Sequence, residues 1–173
     1  RAFGVPVIIN SDVRDGSLRG YAADRGLPVL IYEAGEALRF DEVGIRGGIR
    51  GILNVMRHIG MLPKSKRLKE IRPVIAKSTR WIRAPASGIV SGKVSLGRSV
   101  VKGQSLATVS DPLGDEEQSV IAPFDGIVIG RSNLPLAHEG DALVNLGSFN
   151  NVSLAENRVE TFSETHETNP ANT

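Results

Sequence analysis

The sequence predicts an α/β segment, parallel strands with covering helices, followed by an all-β barrel. Three observations predict it. Two apolar runs, residues 5–9 (Val-Pro-Val-Ile-Ile) and 27–32 (Leu-Pro-Val-Leu-Ile-Tyr), flank a short helical stretch, as do strands buried on both faces and joined by a crossover. Ile45, Ile49, Ile52, Leu53, Met56 and Ile59 then recur at helical spacing. Finally, the phrase Ala-Pro-Ala-Ser-Gly-Ile-Val-Ser-Gly at 84–92 returns as Ala-Pro-Phe-Asp-Gly-Ile-Val-Ile-Gly at 122–130, which is one strand-turn-strand unit used twice.

In chain order, residues 5–9 form the first strand. Ser17 caps a helix that runs through Arg25 and closes at Gly26. Residues 27–32 return as a strand parallel to the first. Asp41 caps a second helix that ends by Gly60 and Pro63 and packs its isoleucine face on the sheet. Gly44, Gly47, Gly48 and Gly51 weaken that helix by about 1 kcal/mol each relative to alanine, so they predict close backbone packing or a frayed start. Two strands and two helices leave sheet edges and strand faces without partners, so more sheet is expected before Arg1 and the chain reads as beginning mid-domain.

Residues 1–62 are thus one part, 63–79 a basic linker with an edge strand near 71–76, 80–149 the β-barrel and 150–173 a disordered polar tail. The barrel strands fall at 81–83, 88–94, 105–109, 119–121, 126–129 and 142–146. The internal match extends further, since Lys102-Gly103-Gln104-Ser105-Leu106 parallels Glu139-Gly140-Asp141-Ala142-Leu143. The tail sets Glu156, Glu160, Glu164 and Glu167 against Arg158 and holds few large apolar groups to offset the entropy of ordering it.

With 173 residues, a formal net charge of +2 and no cysteine, the chain has neither disulfides nor Cys-based metal sites. That fits a reducing compartment and a cytoplasmic location. No apolar run approaches the roughly 20 residues of a transmembrane helix. Lys64, Lys66, Arg67 and Lys69 lack interleaved aromatic residues and read as a solvated linker, so neither nucleic acid nor membrane is an expected partner.

Catalytic groups in a parallel sheet gather beyond the carboxyl ends of the strands. Glu33 stands there with Ala34 and Gly35 beside it, placed for general acid–base work; it reads equally as a surface acid at a strand end. Arg19, Tyr21 and Arg25 lie close together upstream and suit the fork-like binding of a carboxylate, although helix-surface arginines are commonly just solvated. His58, His138 and His166 have no zinc-site spacing. No nucleophile elbow, phosphate loop or dinucleotide fingerprint is present.

The run from Gly16 to Arg25 and on through Leu27-Pro28-Val29-Leu30-Ile31-Tyr32-Glu33-Ala34-Gly35-Glu36 resembles the closing half of the catalytic domain of the succinylglutamate desuccinylase/aspartoacylase family, zinc amidohydrolases of carboxypeptidase-like fold. Leu136-Ala137-His138-Glu139-Gly140-Asp141 is similar to a turn in that family's C-terminal domain. The resemblance implies a small N-acyl substrate, with homo-oligomerisation left open. It implies Glu33 as the general base toward a zinc-bound water, and Tyr21 with Arg25, or Arg19 as a rival, as the anchor of the substrate carboxylate. It also implies zinc ligands that precede Arg1, so that the chain alone would be inactive.

The β part further resembles biotinyl and lipoyl carrier domains, which carry a modified lysine on a hairpin. The corresponding residues 110–119 contain no lysine, which favours a structural or substrate-gating role.

Overall fold

The computed structural model describes residues 1–64 and 72–167. The basic cluster at Lys66, Arg67 and Lys69 and the last six residues lie outside the described residues. The chain divides into two units, one of residues 6–9 and 74–161, the other of residues 1–5, 10–73 and 162–173.

The first unit is β-rich. Strands β3 (Ser78–Arg83), β10 (Ala142–Ser148), β8 (Gly126–Arg131) and β5 (Ser99–Val100) form one antiparallel sheet in that order, and β7 (Glu117–Ile121), β6 (Ser105–Ser110), β4 (Gly88–Ser91) and β9 (Leu136–Ala137) form the other. The sequence repeat explains this order. Each strand of one sheet has its counterpart at the same place in the other, β3 with β7, β10 with β6, β8 with β4 and β5 with β9, so each sheet interleaves strands from both copies.

Bonds outside the ladders repeat as well. Ala84 N–H donates to the Asp141 carbonyl at 2.8 Å, and Ala122 N–H to that of Gln104 at 2.9 Å. Gly140 N–H reaches the Ala84 carbonyl as Gly103 N–H reaches that of Ala122. His138 N–H meets the Asp141 carboxylate as Val101 N–H meets the Gln104 side-chain oxygen. The expected equivalence of the two phrases is therefore present in the fold. The expected barrel is not, because the hydrogen-bonded ladders make two open four-stranded sheets with β3, β5, β7 and β9 at their edges. Of these edge strands, β5 and β9 are only two residues long.

Between the sheets lie Leu106, Val109, Val120, Val128, Leu143, Val144 and Leu146, buried apolar side chains of one cluster. A second cluster gathers Ala76, Ile127, Phe149 and Ala155 with Val7, Val74, Ile129 and Val152 packed against it. It includes the short parallel pair β1 (Val7–Ile9) and β2 (Val74–Ala76), in register Val7 to Val74. The expected edge strand near 71–76 is thus β2, inside what the sequence predicts as linker.

Helix α3 (Val152–Glu167) replaces the expected disordered tail over 152–167. Asn151 opens it, its side-chain oxygen accepting from Leu154 N–H at 2.8 Å. Few apolar residues suffice because they share a face: Ala155 is fully buried and Val159 lies against Gly97. The Glu156 carboxylate accepts from Ser99 N–H at 2.9 Å and Ser99 O–H at 2.7 Å, pinning α3 to β5.

The second unit holds α1 (Leu18–Ala23) and α2 (Glu42–His58). Ser17 and Asp41 cap them as the sequence predicts, accepting from Gly20 N–H at 3.0 Å and Gly44 N–H at 2.6 Å. Residues 27–32 are not a strand, and the expected parallel pairing of 5–9 with 27–32 is absent; β1 pairs with β2 instead. An extended run holds strand form only through ladder bonds, and residues 28–31 find no backbone partner among the described residues.

The buried face of α2 also differs from expectation. Gly47, Gly48 and Gly51 are buried, whereas Ile45, Ile49 and Ile52 are exposed. The glycines admit rings: a methyl at Gly51 would lie 2.2 Å from the Phe3 ring, and one at Gly47 would lie 2.7 Å from Phe162 and 2.8 Å from the Tyr32 hydroxyl. No helix of the described residues is long and apolar enough to cross a membrane.

Candidate active site

The capping bond of Ser17 turns the chain into α1, and Arg19 leaves its first turn. Its guanidinium donates to the Ser11 hydroxyl at 2.8 Å and to the Asp12 carbonyl. Arg19 therefore braces the loop before the helix. Arg25 lies just past the helix end. Its guanidinium carbon sits 3.5 Å from the centroid of the Tyr21 ring, and Nη1 donates to the Tyr21 carbonyl at 3.2 Å.

Tyr21 and Arg25 thus form an exposed pair in which a planar cation is stacked on a phenol. The guanidinium carries five N–H donors, so the single bond to a carbonyl leaves others free to meet a carboxylate.

Glu33 is exposed and makes no hydrogen bond or ion pair among the described residues. The structure joins Tyr21 to Arg25 but shows no contact of either, or of Arg19, with Glu33.

Tyr32 and Ala34, on either side of Glu33, line an open pocket of about 370 Å³ that Glu33 itself does not line. Its apolar wall is the Ile45, Ile49 and Ile52 side of α2. Its polar lining includes Glu36 and Arg39, paired at 3.8 Å, and Asp41.

Tyr32 donates from its hydroxyl to the Gly44 carbonyl at 2.9 Å. Burial raises its phenol pKa above the ordinary value, and the nearby Asp41 charge raises it further. Sequence reasoning missed this corner; the Glu36-x-x-Arg39 spacing and the capping Asp41 were its available signals. No group of three or more His, Cys, Asp or Glu side chains among the described residues could hold a metal ion, so they do not fit a zinc ligand set.

No protein-family model matches the chain, and no curated protein does. Solved structures do. A succinylglutamate desuccinylase/aspartoacylase from Rhodobacter sphaeroides matches with a TM-score of 0.74 at 22% identity, over 86% of this chain and 47% of that one. The apo ectoine utilization protein EutE (DoeB) from Ruegeria pomeroyi matches at 0.76 and 23% identity, over 85% and 48%. An aspartoacylase family protein from Mesorhizobium loti matches at 0.63 and 18%, over 86% and 45%. The chain shares the fold of these proteins and spans less than half the length of each.

Proposed function

From this shared fold, we propose that the chain is the part of an amidohydrolase that anchors the substrate and accepts a proton, and that the complete enzyme removes the acyl group from an N-acyl amino acid or a related small carboxylate. The observation that carries the reading is the fold match, which spans the helical unit with the β unit and involves neighbours named as desuccinylase or aspartoacylase family proteins.

In this reading the stacked Tyr21–Arg25 pair receives the substrate carboxylate. Glu33 takes a proton from the water that attacks the amide carbonyl and returns it to the departing amine. The sequence resemblance implies zinc, whose chemistry when bound is to acidify water. The described residues supply no ligand set for it. The proposal therefore assigns metal binding to other residues and no hydrolysis to this chain alone.

The test is amide hydrolysis by the native gene product across a panel of N-acyl amino acids. Glu33→Gln is expected to lower kcat at least about a hundredfold with metal content unchanged, since a general base contributes roughly 10²–10⁴ in rate. Near-normal turnover in that variant would remove Glu33 from the mechanism. Arg25→Ala is expected to act mainly on KM. A KM effect confined to Arg19→Ala would move the anchor to Arg19.

A further inference from the structure

The residues on either side of Glu33 are held by one element. The Tyr32 hydroxyl donates to the Gly44 carbonyl at 2.9 Å, and the Tyr32 ring lies against α2, where a methyl at Gly48 would come within 3.0 Å of it. Phe3 packs on the same ring with centroids 5.2 Å apart. A methyl at Gly44 would lie 3.2 Å from the Ala34 side chain, and one at Gly35 would lie 3.0 Å from that of Asp41. Gly44 is itself fixed at both ends, since its N–H donates to the Asp41 carboxylate at 2.6 Å while its carbonyl takes the Tyr32 bond.

Successive side chains of an extended chain point to opposite sides. Tyr32 and Ala34 both line the pocket on α2 and Glu33 does not, as that alternation requires. The first turns of α2 therefore grip the residue before Glu33 and the residue after it, and leave the carboxylate on the far side. Packing accounts for the Tyr32 ring, and a phenylalanine would supply it equally. The hydroxyl adds a fixed polar point one residue from Glu33.

We propose that Tyr32 is a positioning residue for Glu33, its hydroxyl bond to the Gly44 carbonyl and its ring seat on Gly47 and Gly48 fixing the backbone so that the Glu33 carboxylate faces away from α2. This deepens the reading of Glu33 as the general base and rests on it. A proton acceptor works only within hydrogen-bond reach of the proton it takes, and a misplacement of about 1 Å at a reacting group costs on the order of a hundredfold in rate. Loss of one anchor out of several misplaces the carboxylate by less than that.

The test measures amide hydrolysis by the native gene product with metal content matched, for Tyr32→Phe, Glu33→Gln and the double variant. Tyr32→Phe is expected to lower kcat about threefold to tenfold with KM nearly unchanged. In the Glu33→Gln background the same change should cost nothing further, because the aim of a group that cannot take a proton does not affect the rate. A merely structural role would lower the rate by the same factor in both backgrounds. Gly44→Ala, which pushes on Ala34 and Asp41 from the helix side, should show the same dependence on Glu33.

The inference alone is overturned if Glu33→Gln is impaired while Tyr32→Phe turns over normally, or if the two losses multiply. Near-normal turnover in Glu33→Gln removes the general-base reading, and the inference with it. Should no N-acyl amino acid be hydrolysed, the deacylase reading falls, and the backbone order parameters of Glu33 and Ala34 decide the anchoring. They should fall from a rigid value near about 0.85 toward about 0.6 in Tyr32→Phe, and unchanged values overturn it.

Discussion

Gly88 and Gly126 have no room for a methyl group. A Cβ on Gly88 would lie 2.2 Å from the Ser110 carbonyl oxygen, and one on Gly126 would lie 2.4 Å from that of Gly147. The obstacle is ladder backbone on β6 and β10, which cannot swing aside as a side chain can. Alanine at either site should destabilise the β unit by about 1–3 kcal/mol or more through overpacking, and equilibrium denaturation of the two variants should give similar losses. The glycine repeated at the end of each Pro-x-x-Gly is thereby explained at the level of one atom.

Glu156 illustrates a different residue-scale constraint. The backbone N–H of Ser99 chiefly, then its hydroxyl and the Arg98 charge, hold its carboxyl below the ordinary value of 4.5 against an opposing desolvation. A depressed folded pKa stabilises above the unfolded value and is lost as pH falls through the folded one. The protection factors of the α3 amides, with the intrinsic exchange rate at each pH divided out, should therefore fall as pH drops below about 4.5. Glu156→Gln should loosen α3 by on the order of 1 kcal/mol at neutral pH and abolish that dependence.

Among the elements, α2 shows how a helix can be legible in place and misleading in orientation. Asp41 fixed its start, and the isoleucine period suggested its inner face. Yet the rings of Phe3, Tyr32 and Phe162 approach only where Gly47, Gly48 and Gly51 let them. Gly47→Ala should raise intrinsic helicity by about 1 kcal/mol while displacing the Tyr32 hydroxyl from the Gly44 carbonyl. The check is a phenol titration, practicable because the chain has two tyrosines. One group should ionise above the ordinary tyrosine range in the native protein and move back toward it in the variant.

α3 was illegible for the converse reason. Its composition is that of a tail, and only the helical spacing of Ala155, Val159, Phe162 and His166 behind the Asn151 cap betrays a buried face. The strand expected at 27–32 failed because strand form depends on partners that local composition cannot supply.

At the scale of the whole molecule, the β unit was legible through its repeat, since a duplicated phrase with matched flanks constrains pairing as well as strand position. Closure was not, because pairing between edge strands of the two sheets is a non-local matter that no phrase encodes. The core of this unit should dominate its stability. Leu146 is fully buried between the sheets, and Leu146→Ala should cost about 2–5 kcal/mol, read from the slowest-exchanging amides of β8 and β10. The candidate site was legible as a list of residue types. The stacking of Arg25 on Tyr21 and the bracing role of Arg19 required coordinates, because the first is set by side-chain conformation at the end of α1 and the second by where the loop at 11–12 runs.

The exchange of strands between the two sheets has a consequence for how the β unit holds together. It is in effect a homodimer fused into one polypeptide, with the β6–β7 hairpin as its tether. That tether is a tight one, its Asp111 carboxylate accepting from Leu113 N–H at 3.2 Å and Glu116 N–H at 3.0 Å. A short tether keeps the copies at a high effective concentration and makes their pairing unimolecular. Severing the chain between Asp111 and Glu116 would leave every core contact available but turn assembly into a bimolecular event, whose melting temperature would rise with protein concentration.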